Sequence, residues 1–472
     1  MLVPTIGIEV HAELNSKAKA FSSALNKYEN TPNILLNEVD MAHPGTLPKI
    51  NEEVVYMALK AALALNCKIN KEMHFDRKNY FYPDLPKGYQ ITQFETPIGY
   101  DGYLEIAVDG KKKKIGIERI HIEEDTCKSI HSMEGTLLNF NRAGVPLIEI
   151  VSKPDIKSDK EAISYLETLR ETLLYLGISD VKIEEGSMRC DANISLKEEK
   201  EEKLGTKIEV KNIGSISNVG TSILYEMKRQ EKMLKEGKIL KEETRRFDDK
   251  TETTILMRVK ETGNDYRYFP EPDLPYIYLT DEEIKNVEEN LPVLPSNLRI
   301  KYNELGIGEV TIKNLISNKE LCLFLEEVID EVNPVISANL LTGDIIAYLN
   351  KKGISLTDTN LTSQNFKTLI KKIEENVISS KQSKEIIPVM IEENKDVNKI
   401  IEEKGLVQIS DVNEIKEFIK NVLDNNKESV ADFKSGNDRA IKFLMGMVMK
   451  ESKGKVNPKL ANDMLLENLK EM

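Results

Sequence analysis

The 472-residue sequence predicts an α+β protein, with a largely antiparallel sheet first and an all-helical remainder after it. Three observations predict this. Alternating apolar and polar runs recur up to about residue 290, such as Tyr103–Val108 and Met188–Leu196. Two long 3.6-periodic stretches interrupt them, without the regular strand–helix alternation of a parallel sheet. Beyond the breaker-rich Leu291-Pro-Val-Leu-Pro-Ser296, strand signals nearly vanish.

The elements follow in order. Ile6-Gly7-Ile8-Glu9-Val10-His11 is a strand pattern close to the N-terminus. Asp109-Gly110 followed by Lys111–Lys114 reads as a hairpin turn with a solvated lysine edge. One helix spans about Lys160–Leu176, with Gly177 placed to end it. A second spans about Asn218–Lys235 and closes at Gly237. After the joint, short amphipathic helices are expected, among them Glu320–Val332 and Ala338–Leu349. A second joint near Gly405 precedes a helical tail containing the loop Lys450–Pro458. The expected domains are 1–291, 292–405 and 406–472, and no internal repeat is visible.

Composition is that of an ordinary water-soluble domain, 40% hydrophobic and 31% charged. No window reaches the ~20 apolar residues of a membrane span. Met1-Leu-Val-Pro-Thr5 has neither a basic n-region nor an apolar core, so no signal peptide is expected. The cysteines at 67, 127, 190 and 322 are far apart and form no Cys-x-x-Cys or disulfide framework, which fits a reducing cytoplasm. The net charge of −13 disfavours simple nucleic-acid binding. From Leu406 onward there are 11 basic and 11 acidic residues, so the first 405 residues carry the whole excess and the tail repels RNA least.

Chemistry is concentrated where charges interrupt apolar strands: Glu9 and His11, then Ile120-His121-Ile122-Glu123-Glu124-Asp125, then Glu149 within Leu147–Val151. Charged side chains occupy such places when they are paired or hold a metal. Strand alternation puts Gly7, Glu9, His11 and Glu13 on one face, Arg189, Asp191, Asn193 and Ser195 on another, and Lys207, Glu209 and Lys211 on a third. A solvent face shows the same pattern as a wide polar face that holds a substrate. Glu149 is different, because apolar neighbours on both sides imply burial. Glu123 and Glu124 point to opposite faces of their strand. A phase slip near Arg119-Ile120, as at a bulge, leaves open which of them points inward. Oxygen-rich ligands with one imidazole suit Mg²⁺ or Mn²⁺ better than a thiolate-bound zinc. No Walker A loop and no Gly-x-Gly-x-x-Gly opening a helix is present. The segments Phe75–Asp84 and Asp265–Asp273 interleave Arg with Tyr and Phe. They read equally as base-stacking, phosphate-holding loops or as packed turns.

Taken together, Ile6–His11, Phe75–Asp84, Asn141–Ile150, Glu184–Asn193, Glu243–Asp248 and Asp265–Asp273 resemble the B subunit of the aspartyl/glutamyl-tRNA amidotransferase. In the tail, Phe443–Lys450 and Lys453–Pro458 are similar to that family's tRNA-binding module. The match is collinear over essentially the whole chain.

The resemblance implies a catalytic cradle similar to the glutamine synthetase and guanido kinase fold, then two all-α domains, the last binding tRNA. It implies an ATP- and Mg²⁺-dependent ligase acting on Glu-tRNA(Gln), Asp-tRNA(Asn) or both. The side-chain carboxylate is phosphorylated, then amidated by ammonia channelled from a glutamine-hydrolysing amidase, the A subunit. A small C subunit completes a cytoplasmic heterotrimer. By match to the family's strand motifs, Glu9, His11 and Glu124 are the leading metal ligands, with Glu149, Asp191 and Glu209 behind them. Lys78, in a catalytic role, and Tyr82 line the ammonia inlet or substrate pocket. Arg189 and Arg267, with Tyr82, are placed at the nucleotide or tRNA phosphates. Many family members carry a four-cysteine zinc site between the first strand and a Pro-Gly-x-Leu-Pro motif. Here Phe21–Ala24 and Asn37–Gly45 contain no cysteine, so no zinc is expected and packing must hold the loop. The archaeal relative's large inserted domain has no room in this chain.

Two other readings stand beside this one. A non-catalytic tRNA-binding scaffold of the same complex would have no reason to keep Glu9, His11, Glu124 and Glu149 on buried strands. A stand-alone metal-dependent hydrolase has no use for the helical, lysine-bearing tail. The sequence leaves open which misacylated tRNA is used and how many metal ions bind.

Overall fold

The computed structural model describes residues 2–259, 266–393, 395–406, 411–434, 439–452 and 456–471. The chain forms two compact units, Met1–Asn297 and Leu298–Met472. The break lies just past the Pro-rich joint expected at 291–296.

The first unit begins with β1 (Leu2–Glu13), α1 (Glu52–Ala64), β2 (Lys68–Ile69), β3 (Glu72–Met73), β4 (Asp76–Asn79) and β5 (Tyr89–Thr92). It continues with β6 (Gly99–Val108), β7 (Lys111–Glu124), β8 (Lys128–Ser132), β9 (Gly135–Asn139) and β10 (Pro146–Ser152). Then come α2 (Asp159–Leu176), β11 (Met188–Glu198), β12 (Ile208–Lys211), α3 (Ile216–Lys235), β13 (Glu243–Asp248), β14 (Thr253–Val259), β15 (Phe269–Pro270) and β16 (Ile277–Tyr278).

Nine strands form one sheet in the order β14-β13-β12-β11-β1-β10-β7-β6-β2. Every neighbouring pair is antiparallel except β12–β13, which is parallel. The sheet is therefore the mostly antiparallel one expected. Ile6, Ile8, Val10 and Ala12 of β1 are fully buried on one face. Ile120, Ile122, Ile148, Ile150, Ala192 and Ile194 join them in the main core, which α1, α2 and α3 cover. A smaller sheet, β15-β4-β5, lies against the C-terminal end of β7.

Local rules explain the boundaries. Asp109 and Gly110 both take positive φ, 49° and 76°, as a two-residue hairpin between β6 and β7 requires. Lys111, Lys112 and Lys114 of the lysine edge are exposed as expected, and only Lys113 is half-buried, donating to Glu161 at 2.7 Å. Ser158 caps α2 through Glu161 N, and Gly177 at φ 70° ends it. Ser215 caps α3 in the same way. Gly102 is required by close approach: a Cβ there would lie 2.5 Å from both Leu65 O and Cys67 Sγ.

The loop after β1 is held by more than packing. Lys19, fully buried, stands 3.3 Å from Asp40 Oδ2. Asp40 also accepts from Ser22 Oγ at 2.8 Å and Asn37 N at 3.1 Å. A buried ion pair with its hydrogen bonds thus pins Phe21–Asp40, which corrects the expectation of packing alone.

The second unit is helical throughout its described residues. The helix expected over Glu320–Val332 is shorter, Lys319–Glu326. Asn333 Oδ1 caps a new start at Pro334, accepting from Val335 N and Ile336 N. Ala338–Leu349 runs through a π-helical turn at Leu341–Ile345. Tail residues from Ile415 to Leu469 build a hydrophobic core of their own. Within the expected loop Lys450–Pro458, residues 453–455 lie outside the described residues, as does Asp265 of the aromatic-basic segment.

Candidate active site on the polar sheet face

β1 lies at the centre of the sheet, and its polar side chains share a face with those of both neighbours. His11 pairs with Glu149 on β10 and with Arg189 on β11, while Glu9 pairs with Asp191. Glu149 in turn pairs with His121 on β7, and Asn193 pairs with Glu209 on β12. Directly opposite residues of an antiparallel pair point to the same side. The face opposite the core therefore carries a continuous polar band across five strands.

Two groups of three form within it. His11, Glu123 and Glu149 bring one ligand atom each within 4.8 Å of one another, and so do Glu9, Asp191 and Glu209. Five of the six expected metal ligands are thus assembled. Glu124 is not among them. It pairs with Pro146, on the face of Ile120, Ile122 and Ile148, so it points toward the core. There it accepts from Lys87 Nζ at 2.6 Å and Ile91 N at 3.0 Å. The expected trio Glu9, His11 and Glu124 is therefore corrected: Glu123 takes the place beside His11. The bulge responsible lies where Val151 faces Arg119 and Ser152 faces Ile117. From Ile120 onward β7 is regular, so Glu123 is in phase with His121. Counting by two from His121 is the signal that could have found it.

Each group already contains a protein cation. His121 Nε2 lies 2.8 Å from Glu149 Oε2 and 2.7 Å from Glu123 Oε1. Burial works against a charged imidazole there, yet the Glu149 and Glu123 carboxylates outweigh it and hold the His121 pKa up at about 9. Burial likewise opposes the Glu149 charge, but His121 and then His11 hold that carboxyl well below the usual range. In the second group, Lys211 Nζ lies 2.8 Å from Asp191 Oδ2 and 3.0 Å from Glu209 Oε1. Burial again opposes charge, and the two carboxylates push the lysine above its ordinary range.

The remaining partners tighten the arrangement. Gln90 Nε2 donates to Glu123 Oε2 at 2.7 Å, Asn193 Nδ2 to Glu9 Oε1 at 2.8 Å, and Thr244 Oγ1 to Glu209 Oε2 at 2.9 Å. Lys78, opposite Gln90 in the smaller sheet, lies with its ammonium 5.2 Å from the Tyr266 ring centre. Burial lowers its pKa, but Glu123, Tyr268 and Glu149 together raise it above the usual lysine range. At the end of the band, burial and the nearby Asp125 push the Glu13 carboxyl up to about 7. Arg189 is paired with Asp125. Tyr82 and Arg267 have exposed side chains, and Arg267 adopts φ 47° while its carbonyl accepts from Asn79 Nδ2 at 2.8 Å. Next to Arg267 in the chain, Tyr268 stacks on Phe94 with centroids 4.1 Å apart. His121, Lys211, Gln90 and Glu123 carry the site with the expected residues; the sequence placed His121 in the charged strand and Lys211 on a polar face, left Glu123 open against Glu124, and gave Gln90 no place.

The donor set suits a hard divalent cation: five carboxylates and one imidazole, with no thiolate. Asn193 Oδ1, beside Glu9, is a buried acceptor without a hydrogen-bond partner, as an additional oxygen ligand would be.

Comparison with known proteins agrees in extent as well as kind. Residues 4–285 match the family described as the GatB/GatE catalytic domain, and residues 323–469 match the GatB domain. The chain is 48% identical over 466 residues to the aspartyl/glutamyl-tRNA(Asn/Gln) amidotransferase B subunit of Bacillus cereus (strain AH187). It is 49% identical over 467 residues to the B subunits of the same name from Geobacillus thermodenitrificans and Enterococcus faecalis. In all three, the alignment covers 98% of both chains. Among the described residues, no helix is long and apolar enough to cross a membrane.

Proposed function

Since the chain belongs to the family of aspartyl/glutamyl-tRNA(Asn/Gln) amidotransferase B subunits, we propose that its polar sheet face is the site where a carboxylate on tRNA is activated and amidated. The observation that carries this reading is the pair of three-ligand groups on one sheet face, flanked by Lys78, Arg189 and Lys211.

The chemistry explains the residue types. Ammonia does not displace oxide from a carboxylate, so one oxygen must first become a leaving group. That oxygen attacks the γ-phosphorus of ATP, ADP departs, and an acyl phosphate forms. Ammonia then adds to the acyl carbon, phosphate leaves with the former carboxylate oxygen, and the nitrogen loses a proton. A divalent ion such as Mg²⁺ held by these groups would neutralise charge on the phosphoryl group in transfer. His11, Glu123 and Glu149 would hold one ion, and Glu9, Asp191 and Glu209 a second. His121 and Gln90 orient the carboxylates, as partners behind metal ligands do. Lys78 and Arg189 are the cations that meet phosphate oxygens. Ammonia comes from a partner amidase, with a small third protein completing the assembly. The substrate is Glu-tRNA(Gln), Asp-tRNA(Asn) or both.

The test is ADP release from ATP by the reconstituted complex, dependent on misacylated tRNA. Glu149→Gln should lose at least the roughly 10- to 100-fold that removing even a residue behind a ligand costs. Unchanged ADP release would overturn the reading. Residues 406–472 are proposed to contribute tRNA affinity. Their deletion should weaken tRNA binding in a gel-shift titration while ATP hydrolysis without tRNA is unchanged, and unaltered affinity would remove that role.

A further inference from the structure

We infer that Lys211 is a resident counter-cation that keeps the Glu9, Asp191 and Glu209 group closed to a divalent ion until a phosphate draws its ammonium away. The inference rests on the metal reading above and concerns which of the two groups loads first.

The geometry is specific. Lys211 and Glu209 are two residues apart on β12, so their side chains leave the same face of the sheet. The ammonium bridges Glu209 Oε1 at 3.0 Å and Asp191 Oδ2 at 2.8 Å. Three carboxylates whose oxygens lie within 4.8 Å repel one another strongly without a cation between them. Lys211 supplies that cation from within the chain. An ion binding to the same oxygens would have to displace it or accept a positive charge at contact distance.

The two groups differ in how they can be vacated. The first includes His11, a neutral ligand when unprotonated, and its internal cation is an imidazole clamped on a buried strand. The second is bridged by a flexible four-carbon stem whose side chain is a third exposed. That stem can swing from carboxylate to phosphate without moving the backbone. Arg246 stands opposite Lys211 on β13 and is exposed, so an arriving phosphate meets two cations at this edge. Exchange of the ammonium from carboxylate to phosphate oxygens leaves the carboxylates free for an ion at the moment the nucleotide is present. Lys211 thereby acts as a positioning residue that couples nucleotide arrival to the second ion.

The test is Mn²⁺ binding to the full chain, followed by electron paramagnetic resonance without nucleotide. The wild-type chain should bind one ion well and a second weakly. Lys211→Met should tighten the second ion by about tenfold or more, and Glu209→Gln in that background should abolish the gain. Lys211→Arg should behave as wild type. A non-hydrolysable ATP analogue should recruit the second ion to the wild-type chain but add little to Lys211→Met. If Lys211→Met retains its melting transition and its second ion is no tighter, the lysine's role is overturned while the first ion still supports the site. If Lys211→Met does not fold, two well-bound ions on the wild-type chain without nucleotide would overturn it instead. If neither group binds Mn²⁺, the metal reading fails along with it.

Discussion

His121 on β7 and Glu149 on β10 stand directly opposite each other, with Nε2 2.8 Å from Oε2. The same nitrogen reaches Glu123 at 2.7 Å, so two carboxylates share one imidazole as their cation. Removing one member of a buried charged set leaves the others uncompensated, at a cost of about 3–5 kcal/mol. His121→Leu should therefore lower stability by that order in urea unfolding, and added Mn²⁺ should recover much of the loss by binding only the folded state. Equal loss with and without the ion would show that His121 does not share its carboxylates with a metal.

Glu123 and Glu124 are adjacent but serve different faces. Glu123→Gln should weaken Mn²⁺ binding by about tenfold or more, as loss of a charged ligand would. Glu124→Gln, on the core side with Lys87, should leave the ion's affinity unchanged. Calorimetric titration of both variants decides between them, and the reverse order would return Glu124 to the metal.

The buried Lys19–Asp40 pair should behave non-additively. Lys19→Met alone leaves Asp40 buried without its cation and should cost about 3–5 kcal/mol. Lys19→Met with Asp40→Asn keeps an acceptor for one of the two donors, Ser22 Oγ on Oδ1 or Asn37 N on Oδ2, while removing the stranded charge, and should recover part of the loss. Additive losses in the double-mutant cycle would show that the pair does not hold the loop.

Three thiols set an alkaline limit, Cys190 among them, pushed up to about 12 by burial and then Asp191. Burial, then Asp101, pushes the Cys67 thiol up to about 12, and burial, then Asp84, pushes Cys127 up to about 11. Unfolded thiols ionise near ~8.5. Between that value and the folded ones, the unfolded chain releases protons that the native chain keeps. Stability that is complete below pH ~8.5 is then lost as pH rises toward 11 or 12. The urea midpoint should fall over this window, and less so in a Cys67→Ala, Cys127→Ala variant. Native thiols should also react with iodoacetamide far more slowly than those of the unfolded chain. Rapid modification of Cys127 in the folded protein at pH 8 would contradict its burial.

What the sequence determined by itself was periodic and local. Alternation in Ile6–His11 and Met188–Leu196 identified the strands and the polar side of each. Gly177 and Gly237 marked helix ends, and the Pro-rich joint marked the break between units. The same alternation put Glu9, His11, Asp191 and Glu209 on the polar sides of their strands, the family resemblance nominated them as ligands, and the apolar neighbours of Glu149 singled it out. The tertiary structure decided which strands lie side by side and in what register. Glu9 meets Asp191 and Glu209 only because β1, β11 and β12 are neighbours, and His11 meets Glu149 only because β10 flanks β1 on the other side. A period of two fixes a residue's face relative to its own strand, but a bulge resets that phase. Glu123 and Glu124 part by simple alternation in the regular stretch from Ile120, and the irregularity between Arg119 and Ile117 is what hid that phase from the sequence. The cations inside the two groups, His121 and Lys211, were likewise invisible as partners. An ion pair depends on distance across the sheet, and strand order sets that distance.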